Sequence, residues 1–336
     1  MEKFKSGIYV AVFLIGGLVL TNCSKEDNLA PSSNDFTANE TGQVENADVQ
    51  DAVADQITQD IDNTADELQN SSYQTDDLSS ARITGGSRTI TVDHPDSTTF
   101  PKVVTIIYTN WSDSTAIDTF VKNGEIDIVV NCPDPEKRLI TREYTFKNFS
   151  VTTDSTVISV SGTRTVTRQN DSIFWDTEHF RARMAATDHI TANLTFTLTN
   201  INNNESSEFT RVVDRTRNAI CWYRLSYMHR HWFGRHMASN DTITWTGTVT
   251  GVDENGFNYQ KQITDPVVMH AYRGTLVIIS GTVDFTGGSG DTAFSYEFSY
   301  QQQAGHPFVT EVTVTNNLDG TSKTFQRRWS RRFVRW

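Results

Sequence analysis

The sequence predicts an all-β protein: an antiparallel, sandwich-like body over residues 85–336, behind a short apolar leader and an acidic tether. Three observations carry that prediction. Hydrophobicity alternates with period two from about residue 85 onward, the signature of strands with one buried face. Ile190, Ala192, Leu194, Phe196 and Leu198 interleave with Thr191, Asn193, Thr195, Thr197 and Thr199. Phe294, Tyr296, Phe298 and Tyr300 interleave with Ser295, Glu297 and Ser299. Ile126, Ile128 and Val130 share one face of a further run, and Val103, Thr105 and Ile107 share a face of another. Second, Thr, Val, Ile and aromatic residues, which suit a pleated surface, are plentiful. Third, turn residues punctuate the runs at Lys122-Asn123-Gly124, Asp253-Glu254-Asn255-Gly256 and Asp319-Gly320. Asn255-Gly256 and Asp319-Gly320 are good hairpin pairs. Roughly a dozen or more strands follow from this spacing. Within the body, residues 176–188 alone leave room for a turn of helix.

The leader comes first, over residues 1–22. Lys3 and Lys5 make it basic at the start, and Ile8 to Leu20 is a run of thirteen apolar residues. That length fits the core of an export signal and falls short of the roughly 20 residues needed to span a bilayer. Cys23 follows, preceded by Leu20, Thr21 and Asn22. This order resembles a bacterial lipobox, although Asn22 departs from the usual Gly, Ala or Ser. The resemblance implies cleavage before Cys23 and acylation of its thiol. With about 0.8 kcal/mol for each buried CH₂, more than one chain makes a stable anchor. Ser24, Lys25, Glu26 and Asp27 resemble the surface-export signal of Bacteroidota lipoproteins. That resemblance implies an outer-membrane protein facing outward; a hydrophilic tether would begin in much the same way.

The acidic tether covers residues 23–84. Residues 24–80 hold fourteen acids and a single base, Lys25, which makes the segment −13. The whole chain is −12 and residues 1–23 are +1, so the remainder is neutral. A neutral body lacks the basic face that a general nucleic-acid binder needs to displace counterions. Low hydrophobicity with high charge leaves the tether little to bury. A helical stripe does run through 46–70, at Val49, Val53, Ile57, Ile61 and Leu68. Its steps of three to four fit one helix face. The expectation is a loosely docked acidic helix in a self-repelling spacer that holds the body off the membrane.

In the body one motif recurs. Ile158-Ser159-Val160-Ser161-Gly162-Thr163, Ile243-Thr244-Trp245-Thr246-Gly247-Thr248 and Ile278-Ile279-Ser280-Gly281-Thr282 each run from apolar residues into Ser/Thr-Gly-Thr. A glycine inside a strand marks a bulge or a close backbone approach. The repeat is open to two readings: equivalent strands in related halves, 85–200 and 205–336, or convergence on one Thr-rich strand type.

Phe100-Pro101-Lys102 leading into VVTIIYT, then NGEIDIVV, NFSV and SGTRTVT, with TWTGTVTG and VIISGTVDF later, resembles a family of uncharacterised Bacteroidota lipoproteins. The likeness covers most of 95–290 and rests on strand patterns. The turn that relatives place after the first strand is replaced here by Ile106-Ile107-Tyr108-Thr109-Asn110-Trp111. The resemblance implies an all-β fold and an envelope location, and brings no activity with it.

Chemistry is sparse. His229 and His231, with His236 beyond them, are the metal-ligand candidates, because residues two apart on a strand share a face. Arg230 and Arg235 add positive charge nearby and no carboxylate is close in sequence, so no metal or other cofactor is expected. Once Cys23 is acylated, Cys132 and Cys221 remain, open to a disulfide or to two free thiols. Gly287-Gly288-Ser289-Gly290 lacks the lysine and helix of a phosphate loop and reads as a strand connection. The basic, aromatic end FQRRWSRRFVRW reads as a final strand with arginine stems over its edge. Asp113-Ser114-Thr115, Asp154-Ser155-Thr156, Asp171-Ser172-Ile173, Asp241-Thr242-Ile243 and Asp291-Thr292-Ala293 resemble Bacteroidota O-glycosylation sites and equally fit a Thr-rich composition. No catalytic residue is singled out. The expectation is a lipid-anchored surface module that binds glycan or protein or serves structurally; the alternative is a glycan-degrading enzyme on a β-scaffold.

Overall fold

A computed structural model describes residues 50–65, apart from 52, 56, 59, 60 and 63, and residues 83–328, apart from 94–98, 114–120, 135–138, 154, 171–173, 177–180, 225–241, 273, 274 and 289–292. The chain is all-β with one helical segment, α1, whose described residues lie between 50 and 65. Fourteen strands follow: β1 (Ile83–Val92), β2 (Lys102–Asp113), β3 (Val121–Asp134), β4 (Leu139–Thr152), β5 (Thr156–Asn170), β6 (Phe174–Asp176), β7 (Arg181–Asn200), β8 (Ser206–Arg224), β9 (Thr242–Val252), β10 (Asn258–Tyr272), β11 (Thr275–Gly287), β12 (Phe294–Gln302), β13 (Val309–Asn316) and β14 (Ser322–Arg328).

These strands form one antiparallel sheet in chain order, with β6 pairing on β7 beside the main path. The ladder passes from β7 to β8 to β9 without a break. Neither two stacked sheets nor a division into halves at 85–200 and 205–336 is present among the described residues. The all-β antiparallel body is as expected, with its strands hydrogen-bonded along one path. Of the possible helical turn at 176–188, the described residues, 176 and 181–188, are strand, and Asn123-Gly124 lies inside β3. Asn255-Gly256 and Asp319-Gly320 do turn the chain, with Gly256 N–H donating to Asp253 O at 3.0 Å and Gly320 N–H to Asn316 O at 2.8 Å.

One face of the sheet is buried from β2 to β13. On β7 it carries Ala186, Asp188, Ile190, Ala192, Leu194, Phe196 and Leu198, as the alternation predicts. On β2 the buried face is Val104, Ile106 and Tyr108; Val103, Thr105 and Ile107 look outward. The inner side chains from β2 to β13 and those of α1 make one continuous core. The outer face is polar. Thr242, Thr244, Thr246, Thr248 and Thr250 line the outside of β9, half-buried or exposed. A strand facing lipid would show the reverse pattern.

The mid-strand glycines explain how so wide a sheet bends. Five successive strands each place one residue at positive φ: Gly86, Asn110, Gly124, Asn148 and Gly162. The pairing register slips beside the first four of them. Bulges of this kind bend a strand and increase its twist. A second set, Gly247 and Gly281, flanks the register shifts of β10. All three glycines of the recurring Ser/Thr-Gly-Thr motif therefore sit at positive φ. At Gly162 a Cβ would lie 2.1 Å from Asn193 O, so glycine is required for both conformation and space.

Gly256 is also at positive φ, but nothing lies within 4 Å of a Cβ there. Gly256→Ala should therefore cost roughly 1 kcal/mol of strain. Gly162→Ala should cost roughly 3 kcal/mol or more, because strain and clash add. Urea unfolding of the two variants checks the order; equal losses would mean the crease tolerates a side chain.

Candidate functional site

The densest chemistry among the described residues lies where α1 meets the inner face. The helix presents Val53, Ala54, Ile57, Ile61 and Ala65 to the sheet, all buried. At roughly 100° per residue these positions fall on one side. Gln50, Asp51, Thr58, Asp62 and Thr64 are buried as well. Thr58 satisfies its hydroxyl within the helix, donating to Ala54 O at 2.8 Å. The segment expected to be a loosely docked part of a spacer thus contributes to the core.

Its acids meet cations supplied by the strands. Arg211 on β8, with no solvent exposure, donates from Nε to Asp51 Oδ1 at 2.6 Å and from Nη2 to Asp55 Oδ1. Arg215, four residues on, donates from Nη1 to Asp55 Oδ2 at 3.0 Å. Lys261 on β10 donates to Asp51 Oδ2 at 2.9 Å. Toward the other end of α1, Arg164 on β5 pairs with Asp62. The strand between β8 and β10 makes room for this cluster. β9 faces inward with Gly247, Val249 and Gly251 across from Arg215, Val213 and Arg211. The Tyr259 ring leans over Gly251, whose Cβ would lie 2.7 Å from its hydroxyl.

A second cluster follows from register alone. Arg168, Asp188, Arg217 and Trp245 are lateral neighbours on β5, β7, β8 and β9. Arg168 donates to both Asp188 oxygens, at 2.7 and 3.1 Å. Arg217 donates to Asp188 Oδ2 from Nε at 2.9 Å and lies 5.5 Å from the centre of the Trp245 ring.

Burial alone would raise the Asp51 carboxyl; Arg211, Lys261 and Arg215 outweigh it and hold that carboxyl far below the ordinary carboxylate range. Asp188 behaves likewise, with burial opposed by Arg217 and Arg168. The Tyr259 phenol is pushed up by burial, with Asp51 adding to the effect.

The charge balance is lopsided. Among the described residues, seven buried strand residues are cationic: Lys102, Lys122, Arg142, Arg164, Arg168, Arg211 and Lys261. The buried acids among the described residues are Asp51 and Asp62 from α1, Asp188, and Asp253 at the β9–β10 turn. The sheet therefore presents a cationic inner face, and the acidic N-terminal segment supplies part of the neutralisation. Composition indicated the −13 segment and the neutral body; the pairing between them was hidden because the cations, from Arg164 to Lys261, are spread over three strands. Their period-two spacing at 211, 215 and 217, inside an otherwise apolar face, was the available signal.

Of the residues singled out from sequence, Cys23, Ser24, Lys25, Glu26, Asp27, His229, His231 and His236 lie outside the described residues. Cys132 on β3 is a free, half-buried thiol, and Cys221 is on β8, four steps away along the ladder. No group of three or more His, Cys, Asp or Glu suited to a metal occurs among the described residues.

Asp51→Asn leaves Arg211 and Lys261 beside a neutral amide and should lower stability by on the order of 3–5 kcal/mol. A chain beginning at residue 85 removes Asp51, Asp55 and Asp62 together and should be far less stable than one beginning at residue 46, by urea unfolding.

The pH response follows from the depressed carboxyls. A group whose folded value lies below its unfolded value adds stability above the unfolded value, near 3.9 for Asp. That contribution is lost as pH falls toward the folded value. Asp51 and Asp188 should therefore leave stability level from about pH 5 to 8 and lower it below about pH 4. In Asp188→Asn the acid-side slope should be shallower; an unchanged slope would show that Asp188 is not depressed.

No protein-family model, curated protein or solved structure matches this chain.

Proposed function

We propose that the chain is a lipid-anchored cell-envelope protein whose β-body is a surface binding or structural module for glycan or protein. The observation that carries this reading is the contrast between the two faces of the sheet. The inner face is filled by apolar side chains and by α1. The outer face offers Thr, Asn and Gln side chains at strand spacing, for example Thr163, Asn193 and Thr250 on β5, β7 and β9. Neighbouring strands lie about 4.8 Å apart and alternate residues about 6.8 Å apart, a regular polar array suited to an extended ligand. Loops and strand edges extend that surface.

The leader and Cys23 support attachment through lipid. No helix of the described residues is long and apolar enough to cross a membrane. With α1 in the core, the free spacer shortens to residues 23–49. Fully extended, that length reaches roughly 90–100 Å. The address in Ser24 to Asp27 supports outward display on the outer membrane.

A glycan-degrading enzyme would need two carboxyls across a cleft, one of them protonated. Glu254 is pushed up by burial, and Ser207 donates to it at 3.1 Å. Its neighbour Asp253 commits Oδ1 to the turn, accepting from Asn255 N–H at 2.9 Å and Phe257 N–H at 2.8 Å. That arrangement favours a structural turn and supports the binding reading.

Two measurements test the proposal. Palmitate labelling in cells should be lost in Cys23→Ala; labelling that persists overturns the anchor. A soluble chain of residues 46–336, which keeps α1, should bind members of a glycan and protein panel, and Thr246→Lys with Thr248→Lys on the outer face should weaken that binding at least tenfold. Binding unaffected by both substitutions would move the site off this face.

A further inference from the structure

The Arg211 cluster has more buried donors than acceptors. All four oxygens of Asp51 and Asp55 already accept: Asp51 from Arg211 and Lys261, Asp55 from Arg211 and Arg215. Arg211 Nη1, Arg215 Nε and the Tyr259 hydroxyl remain buried without a hydrogen-bond partner among the described residues. Arg211 is fully buried and Tyr259 is 4% exposed. An orphaned buried donor costs roughly 1–3 kcal/mol, more when it is charged. Arg211 and Arg215 share both carboxylates, and Lys261 adds a third cation on Asp51.

The three groups belong to one small region. Arg211 and Arg215 grip the same two carboxylates from β8. Arg211, Gly251 and Tyr259 are successive lateral neighbours across β8, β9 and β10. Gly251 leaves the space above β9 without a side chain, and the phenol lies over it. A phenol held protonated beside two guanidinium groups is a donor, and guanidinium has no acceptor to offer.

We propose that this cluster is a buried anion site, in which one small inorganic anion accepts from Arg211 Nη1, Arg215 Nε and Tyr259 Oη. The anion would complete the junction between α1 and the sheet, so its binding would stabilise the folded chain through linkage. Size separates candidates: a halide is a small sphere that three converging donors can surround, whereas an organic anion such as gluconate is too large for a fully buried position.

The probe is bromide. Crystals of the full-length protein grown in sodium bromide should give an anomalous peak within hydrogen-bond reach of Arg211 Nη1 and Tyr259 Oη. At equal ionic strength, chloride should raise the thermal midpoint above that in gluconate by a few degrees. Tyr259→Phe keeps the ring against Phe285 and removes one donor, so the chloride-dependent shift should fall by at least half. A water in place of bromide, equal midpoints in the two salts, or an undiminished shift in Tyr259→Phe would each overturn the proposal. If Tyr259→Phe fails to fold, the bromide peak in the unsubstituted protein decides alone.

Discussion

A single sheet with one apolar face must have that face covered, and the rest of this structure depends on how it is done. Thirteen strands along one hydrogen-bonded path cannot stay flat and keep an apolar surface from water. The crease from Gly86 through Asn110, Gly124 and Asn148 to Gly162 supplies the bend. The helix supplies the cover. Without the crease the inner side chains could not share one core; without the helix that core would have an open centre.

Apolar contact and charge divide the work of seating the helix. Each fully buried Val or Ile contributes roughly 1.5–3 kcal/mol, so Val53, Ile57 and Ile61 provide the bulk of the driving force. The ion pairs contribute much less net free energy, because desolvation offsets their attraction. What they add is selection among docking positions. A slide of α1 by one turn would keep an apolar stripe in contact but would separate Asp51 from Arg211 and Asp62 from Arg164. Mispairing a buried charge is costly, so the two ends fix the register together.

Much of the fold was legible in the sequence, because period-two patterning reports directly on which face of a strand is buried. Ile190 to Leu198 and Phe294 to Tyr300 show this without tertiary information. The motif glycines were legible as places of close backbone approach, since few other features put glycine inside a strand. Three things were not. Asn123-Gly124 has the composition of a hairpin turn and is used as a kink inside β3, a choice made by its neighbours Asn110 and Asn148. A single sheet and a sandwich give the same alternation, so the pattern could not separate them. The helix stripe was visible, but its acids looked solvated because their partners lie 102 to 210 positions away.

Placing the helix in the core also redistributes roles along the N-terminal segment. Of the fourteen acids that composition assigns to self-repulsion, Asp51, Asp55 and Asp62 belong to the fold. The folded body therefore includes the described helical residues from 50 to 65 as well as the strands from Ile83 onward. With the anchor proposed at Cys23, a pull from the N-terminus would be transmitted to α1 before it reached β1. Resistance would come first from the apolar stripe and the Arg211 and Arg164 pairs, and only then from the edge of the sheet. That order would protect β1, an edge strand with a single partner among the described strands, from being peeled away.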